Sequence, residues 1–421
     1  MRVLCLCLAA VSVFGQSPVG IFLGEINGGM VGKLRLGLEV KQAADGKLAG
    51  EMTSIDQGYS KLLASSVVVE GKTLKLAFGM INASYEGTLS DDGNTLTGKW
   101  MQGAGIDLVL KRVAALPRPA RPQEPRPPFP YHSEDISFAG GAADVTLAGT
   151  LTKPKGAGKF GAVVLVSGSG PQDRNEELAL HKPFLLWADT LTRAGIAVLR
   201  YDDRGTAKST GKFKAATTAD FAKDAAAAVA YLRSRQDIDP AKIVVMGHSE
   251  GGLIAPMVAA EDVKLAGIVL MAGTGVTGEK VLRRQLPDIS RAAGMSEEMA
   301  EANAKTNLEK MEANLAMDPW LANFWVYDPS TALKKVKCPV LALNGALDKQ
   351  VNAEVNLAAI EAALKEAGNK NVTARTLPKL NHLFQTSVTG SGQEYSQLEE
   401  TVAPIALEEV TRWVKKTLAT K

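Results

Sequence analysis

An apolar run, Ile243 to Met246, meets Gly247-His248-Ser249-Glu250-Gly251-Gly252 and passes at once into an apolar, alanine-rich segment reaching Ala260. A strand that turns abruptly into a helix at a serine fits few architectures. The G-x-S-x-G pattern holds the serine in a strained turn with its hydroxyl raised above the end of a sheet, which requires small residues two before and two after it. Gly247 and Gly251 meet that requirement. A chain with 40 glycines could carry the pattern by chance, so the flanking strand and helix are what identify a nucleophile elbow here.

The rest of the chain narrows the reading. Its 421 residues suggest two to three domains, and a hydrophobic content of 46% is ample for sizeable cores. A net charge of +3 with 22% charged residues leaves no basic stripe for nucleic acid and no polybasic cluster for anionic lipid. At the N-terminus, Arg2 precedes an apolar run from Val3 to Phe14, closed by Gly15. Residues 1–15 therefore read as a secretory signal peptide, and the product is expected to be secreted or periplasmic. That run is shorter than the roughly 20 apolar residues of a membrane span, and no later stretch is long enough. Cys5 and Cys7 fall inside it, so the mature chain would keep only Cys338, with neither an internal disulfide nor a cysteine-based metal site.

Residues 18–113 have the period of half-buried strands: Leu34, Leu36, Leu38 and Val40 alternate with polar or small residues, and similar runs recur up to Ile106 to Val113. Asp45-Gly46, Glu70-Gly71 and Asp91-Asp92-Gly93-Asn94 punctuate them with turn chemistry. A small antiparallel barrel or sandwich is expected, serving as a stabilising module or a ligand- or surface-binding one. Residues 114–131 are proline-rich and read as a semi-rigid linker. From 132 to 421 apolar strands alternate with helical patterns, which predicts a mostly parallel sheet with helices on both faces and a site at the strands' carboxyl ends. Residues 278–335 break that rhythm with a charged helical pattern, a candidate lid. Trp320, Phe324 and Trp325 could line an acyl pocket there or fill the insertion's own small core.

A serine hydroxyl needs a base within hydrogen-bond reach, itself oriented by a third group. Of the four histidines, only His382 follows a strand in the second half, and Asp348 follows the strand before it. The order Ser249, Asp348, His382 is the one expected of an α/β-hydrolase fold. Residues 134 to 421 resemble the serine esterases and peptidases of that superfamily. They are most similar to secreted bacterial esterase-like hydrolases classed near the serine aminopeptidases. The likeness rests on Ser167-Gly168-Ser169-Gly170-Pro171-Gln172-Asp173-Arg174, Tyr201-Asp202-Asp203-Arg204-Gly205, Gly247 to Gly252, Asn344 to Asp348, and Asn381 to Phe384. The resemblance implies Ser249 as nucleophile, His382 as general base and then acid, and Asp348 as the group that holds the imidazole tautomer. An oxyanion hole is expected from the backbone N–H groups of Ser169 and Glu250. Related hydrolases begin the first of these loops with His-Gly, whereas this chain has Ser167-Gly168.

These readings converge on a carboxylic ester hydrolase acting on a small ester or short acyl substrate through an acyl-enzyme, with no metal or cofactor. An aminopeptidase is the alternative, with Glu176, Glu177 or Glu297 as candidate partners for a substrate amine. A non-catalytic binding protein is the reading from another class. Asp202, Asp203 and Arg204 are expected to be structural, as turn residues leaving a strand, and Glu250 is accounted for by the helix dipole.

Overall fold

The structure, a computed structural model, describes residues 17–27 and 33–419. The expected leader, 1–15, lies outside the described residues. The chain divides into two compact units between Arg118 and Pro119.

Among its described residues the first unit is one antiparallel sheet of nine strands: β1 (Gly20–Asn27), β2 (Lys33–Gln42), β3 (Leu48–Ser54), β4 (Ser60–Leu63), β5 (Ser66–Glu70), β6 (Thr73–Phe78), β7 (Ala83–Leu89), β8 (Thr95–Gln102) and β9 (Ala104–Val113). Their spatial order is β4-β3-β2-β1-β9-β8-β7-β6-β5. The two edge strands, β4 and β5, are joined by Ala64 and Ser65 alone, so the sheet has to curl until its edges approach. The alternation seen in the sequence puts Leu38, Val40, Met52, Leu76, Phe78 and Tyr85 inside. Two strands escape that pattern. β1 carries Gly24 where a Cβ would stand 2.2 Å from the Val109 carbonyl oxygen, and β4 is short and largely exposed.

The second unit is built on an eight-stranded sheet ordered β10-β11-β13-β12-β14-β15-β16-β17. These strands are β10 (His132–Ala139), β11 (Thr146–Lys153), β12 (Phe160–Val166), β13 (Ala197–Tyr201), β14 (Ile238–His248), β15 (Gly267–Met271), β16 (Val340–Gly345) and β17 (Val372–Leu377). The six from β13 to β17 in that order, with β12 among them, run parallel; β10 and β11 add an antiparallel edge. One face packs on α2 (Thr218–Ser234), α3 (Glu250–Glu261) and α8 (Ala353–Glu366), the other on α1 (Pro183–Arg193) and α9 (Pro404–Ala419). The chain leaves β12 toward β13 on one side and returns by α2 to β14 on the other. That reversal opens a crevice at the carboxyl ends of β12 and β14.

Residues 119–131 form neither helix nor strand, yet they are bound along their length to the second unit. The Arg121 guanidinium donates to the carbonyls of Leu180, Ser396 and Leu398, Gln123 bonds the backbone of Thr401 and Val402, and the Tyr131 hydroxyl donates to Asp189. Between β15 and β16 lie α4 (Gly278–Ala292), α5 (Glu297–Asn314), α6 (Pro319–Val326) and α7 (Ser330–Leu333), the helical insertion expected at 278–335. Among the described residues no helix is long and apolar enough to cross a membrane.

Candidate active site

β14 delivers Ser249 into a conformation that L-residues rarely adopt, φ 54° and ψ −115°, and α3 starts at the next residue. The turn closes because two of its neighbours lack side chains. A Cβ on Gly247 would stand 1.9 Å from the Gly251 carbonyl oxygen, and one on Gly251 would stand 2.1 Å from that of Val166. The Ser249 amide donates to the Met271 carbonyl at 2.8 Å, which fastens the turn to the neighbouring strand. Strain of this kind persists only where the surroundings over-determine it.

Two loops from the next strands bring an acid and an imidazole to the same edge. After β16, Asp348 accepts from the Gln350 and Val351 amides at 2.8 and 2.9 Å through Oδ1. Its other oxygen, Oδ2, stands 2.8 Å from Nδ1 of His382. Both side chains are almost wholly buried. The loop carrying His382 after β17 is held by Asn381, whose Oδ1 accepts from the Leu383 and Gln385 amides, and by the Leu347 amide on the Leu380 carbonyl. The His382 ring lies over the elbow, its centroid 4.8 Å from that of His248, the residue before Ser249.

The loop after β12 also reaches the serine: a Cβ on Gly168 would be 3.2 Å from the Ser249 Cβ. Side chains and amides of this loop brace it. The Ser167 hydroxyl donates to Asp203 at 2.8 Å, the Gln172 amide donates to the same carboxylate at 3.0 Å, and the Gly168 amide donates to Glu176 at 2.7 Å. Burial, reinforced by the negative charges of Glu250 and Glu176, raises the Asp203 carboxyl well above the usual range against the pull of those two donors. Asp202 and Arg174 form a buried two-point ion pair at 2.9 and 2.7 Å, and Arg204 pairs likewise with Asp224 on α2 at 2.6 and 2.8 Å. The charged cluster after β13 thus knits the loops together beneath the site. Ser169 is exposed at the loop's tip, while Glu250, as the first residue of α3, presents one of the amides that helix geometry leaves unpaired.

The Glu250 side chain does more than face a helix dipole. It is 4% exposed, and its Oε1 accepts from the Thr218 hydroxyl at 2.6 Å and from the indole N–H of Trp320 at 2.8 Å. Burial raises its pKa, and the two donors oppose the rise without cancelling it. Trp320, on α6 of the insertion, also stacks on Phe324 at 5.3 Å. Phe324 and Trp325 are buried with Leu253, Leu282, Leu308 and Leu321 in a cluster between the insertion and α3. A cavity of about 580 Å³ lies along α2 and the far end of α3, lined by Met257, Asp262 and Tyr327, away from Ser249.

His248 and Glu176 are the residues whose place sequence reasoning missed. His248 Nδ1 is 2.9 Å from Glu176 Oε1, and its Nε2 is 3.0 Å from the His382 carbonyl oxygen. His181 is buried between the same loop and the 395–401 segment, with burial pushing its pKa down to about 4. Among the other acids considered for a substrate amine, Glu177 is exposed and Glu297 pairs with Arg291 on the surface of the insertion.

A parallel sheet reversed at β12, with a strained serine turn beside an acid–imidazole pair, is the arrangement of an α/β-hydrolase fold, and the proteins this chain is similar to are of the esterase and serine-aminopeptidase kind. The family model "Serine aminopeptidase, S33" matches residues 182–386. Esterase EstD of Thermotoga maritima is 29% identical over 371 residues, covering 85% of this chain and 82% of EstD. That share is more than Pro119–Lys421 alone amounts to, so the match reaches into the first unit. Similar solved structures include an esterase of Pyrococcus furiosus (19% identity, 72% of this chain and 98% of that one, TM-score 0.47) and the α/β-hydrolase GrgF of Penicillium sp. sh18 (17%, 69% and 100%, TM-score 0.48).

Proposed function

We propose that this protein is a serine hydrolase that cleaves small carboxylic esters through an acyl-enzyme. The observation that carries the proposal is the 2.8 Å contact between Asp348 and His382 above an elbow that holds Ser249 in a strained turn. His382 takes the Ser249 proton as the hydroxyl oxygen attacks the ester carbonyl, and Asp348 fixes the Nδ1–H tautomer and steadies the imidazolium. The tetrahedral oxyanion accepts from the Ser169 and Glu250 amides; the Gly168 amide is already committed to Glu176. His382 then protonates the departing alcohol, and water releases the acid by the same route in reverse. Residues 1–15 act as the export leader, and the mature protein works outside the cytoplasm.

A fluorophosphonate probe should label the wild type and not Ser249→Ala. The same substitution should lower p-nitrophenyl acetate turnover by about 10⁶, as nucleophile loss does in comparable triads. Equal turnover by the two proteins would end the proposal. The family description also supports an aminopeptidase reading. Against it, the Glu176 carboxylate named for a substrate amine is 2% exposed and already holds His248 and the Gly168 amide. Comparing short-chain esters with amino-acid p-nitroanilides separates the two readings.

A further inference from the structure

Resting on the reading just given, we infer that Glu176 and His248 form an ion pair that positions the oxyanion loop and the His382 loop against one another, with His248 an imidazolium at the pH of catalysis. His248 faces an acceptor at each ring nitrogen: a carboxylate oxygen at 2.9 Å from Nδ1 and a backbone carbonyl at 3.0 Å from Nε2. A neutral imidazole has one N–H and leaves one of those contacts as two lone pairs face to face; only the doubly protonated ring donates to both. A proton on Glu176 would make the oxygen that meets His248 a hydroxyl, a weaker acceptor for the Gly168 amide than the carboxylate that its short 2.7 Å contact suits.

The surroundings suit a charge pair. Glu176 and His248 are 2% and 8% exposed, so removing one partner would strand the other. Facing His248 are the Glu176 carboxylate, the His382 ring with Asp348 behind it, and apolar side chains of Phe184, Trp187, Met271, Leu383 and Phe384. Burial pulls the His248 pKa down, but the Glu176 charge and hydrogen bond override it and the net shift is upward. The interaction is fully present below the ordinary histidine value of 6.5 and is lost as pH rises through the raised one. Glu176 adopts φ 50°, a conformation costly for a non-glycine residue and one that brings its carboxylate between the two loops. The pair spans three pieces of the machinery: the amide preceding Ser169, the residue preceding Ser249, and the backbone of His382. Neither member touches substrate; both are positioning residues.

Only four histidines are present, so ¹⁵N-histidine labelling of the full-length protein tests the assignment directly. At pH 8 one ring should show both nitrogens protonated, and that signal should vanish in His248→Gln. A neutral His248 at pH 8 overturns the inference, whatever the catalytic result. Glu176→Gln keeps an oxygen for the Gly168 amide but removes the charge that holds the second proton. Its kcat for p-nitrophenyl acetate should fall by about 10- to 100-fold, below the loss of an oxyanion donor outright, with KM within about threefold. The ratio of variant to wild-type kcat should rise as pH is lowered from 8 to 6 and His248 regains its proton. An unchanged kcat, a change in KM alone, or a pH-independent ratio would refute the positioning role. Fluorophosphonate labelling of the wild type at Ser249 distinguishes that failure from failure of the esterase reading.

Discussion

Trp320→Phe isolates the hydrogen bond that ties the insertion to the elbow helix. Phenylalanine can keep the stack on Phe324 but has no N–H for Glu250, which is left with Thr218 as its donor. A hydrogen bond to a buried charged group contributes about 1.5–3 kcal/mol, so the substitution should cost about 2 kcal/mol at pH 8. In a unit of this size that is a fall in Tm of a few degrees. The cost should also depend on pH. The Glu250 pKa is raised in the folded state, so burying its charge weakens the fold at alkaline pH, and this penalty fades as the carboxyl takes up a proton. Removing a donor pushes the pKa further up, so the difference between variant and wild type should shrink as pH falls from 8 toward 5. Urea unfolding followed by far-ultraviolet circular dichroism at several pH values reads both effects. A variant within 0.5 kcal/mol of wild type at pH 8, or a loss that is the same at pH 5, would refute the account of Glu250 as a buried, ionised anchor.

Three further outcomes follow from the same geometry. Asp348→Asn can still accept the Gln350 and Val351 amides, but its NH₂ would face Nδ1 of His382 and force the wrong tautomer, so ester kcat should fall by about 10⁴ with the fold kept. His181 resists protonation until about pH 4, whereas an unfolded histidine takes its proton near 6.5. The wild type should therefore lose up to about 3 kcal/mol of stability between those pH values, and His181→Gln should lose less in urea titrations across that range. Ser249→Gly should be inactive yet more stable than wild type by about 1 kcal/mol or more in the same urea assay, because glycine adopts φ 54° without strain.

What the sequence disclosed follows from periodicity. Strands buried on both faces, such as Ala162 to Val166 and Val340 to Leu343, are continuous apolar runs, and the elbow between β14 and α3 carries its glycines openly. Strands at the edges were harder. β10 reads His132-Ser133-Glu134-Asp135-Ile136-Ser137-Phe138-Ala139 and buries only Phe138, so no apolar rhythm marks it. The order of Ser249, Asp348 and His382 was legible because each follows a recognisable strand. The partners of His248 were not, since they lie 72 and 134 positions away and a histidine between Gly247 and Ser249 looks like a free choice. The available signal was the acid pair Glu176-Glu177 just after the Ser167-Gly168 loop, paired with the chemistry of an imidazole in a buried turn. Likewise, Trp320 gave no sign in the sequence that its N–H would meet the side chain following Ser249.

In the first unit, β1 lies between β2 and β9, so the earliest strand to emerge during synthesis has one of its two neighbours supplied by the last. The hairpins β2-β3-β4 and β5 through β9 can form as they appear, but the sheet stays open along β1 until residues near Val113 arrive. A nascent chain halted anywhere before that point would display an unpaired, half-apolar edge, the kind of surface that recruits a second copy. Fragments ending between β7 and β9 should therefore aggregate, while a cut at Ala64–Ser65, where the chain crosses between the two free edges, would leave every ladder in the sheet intact.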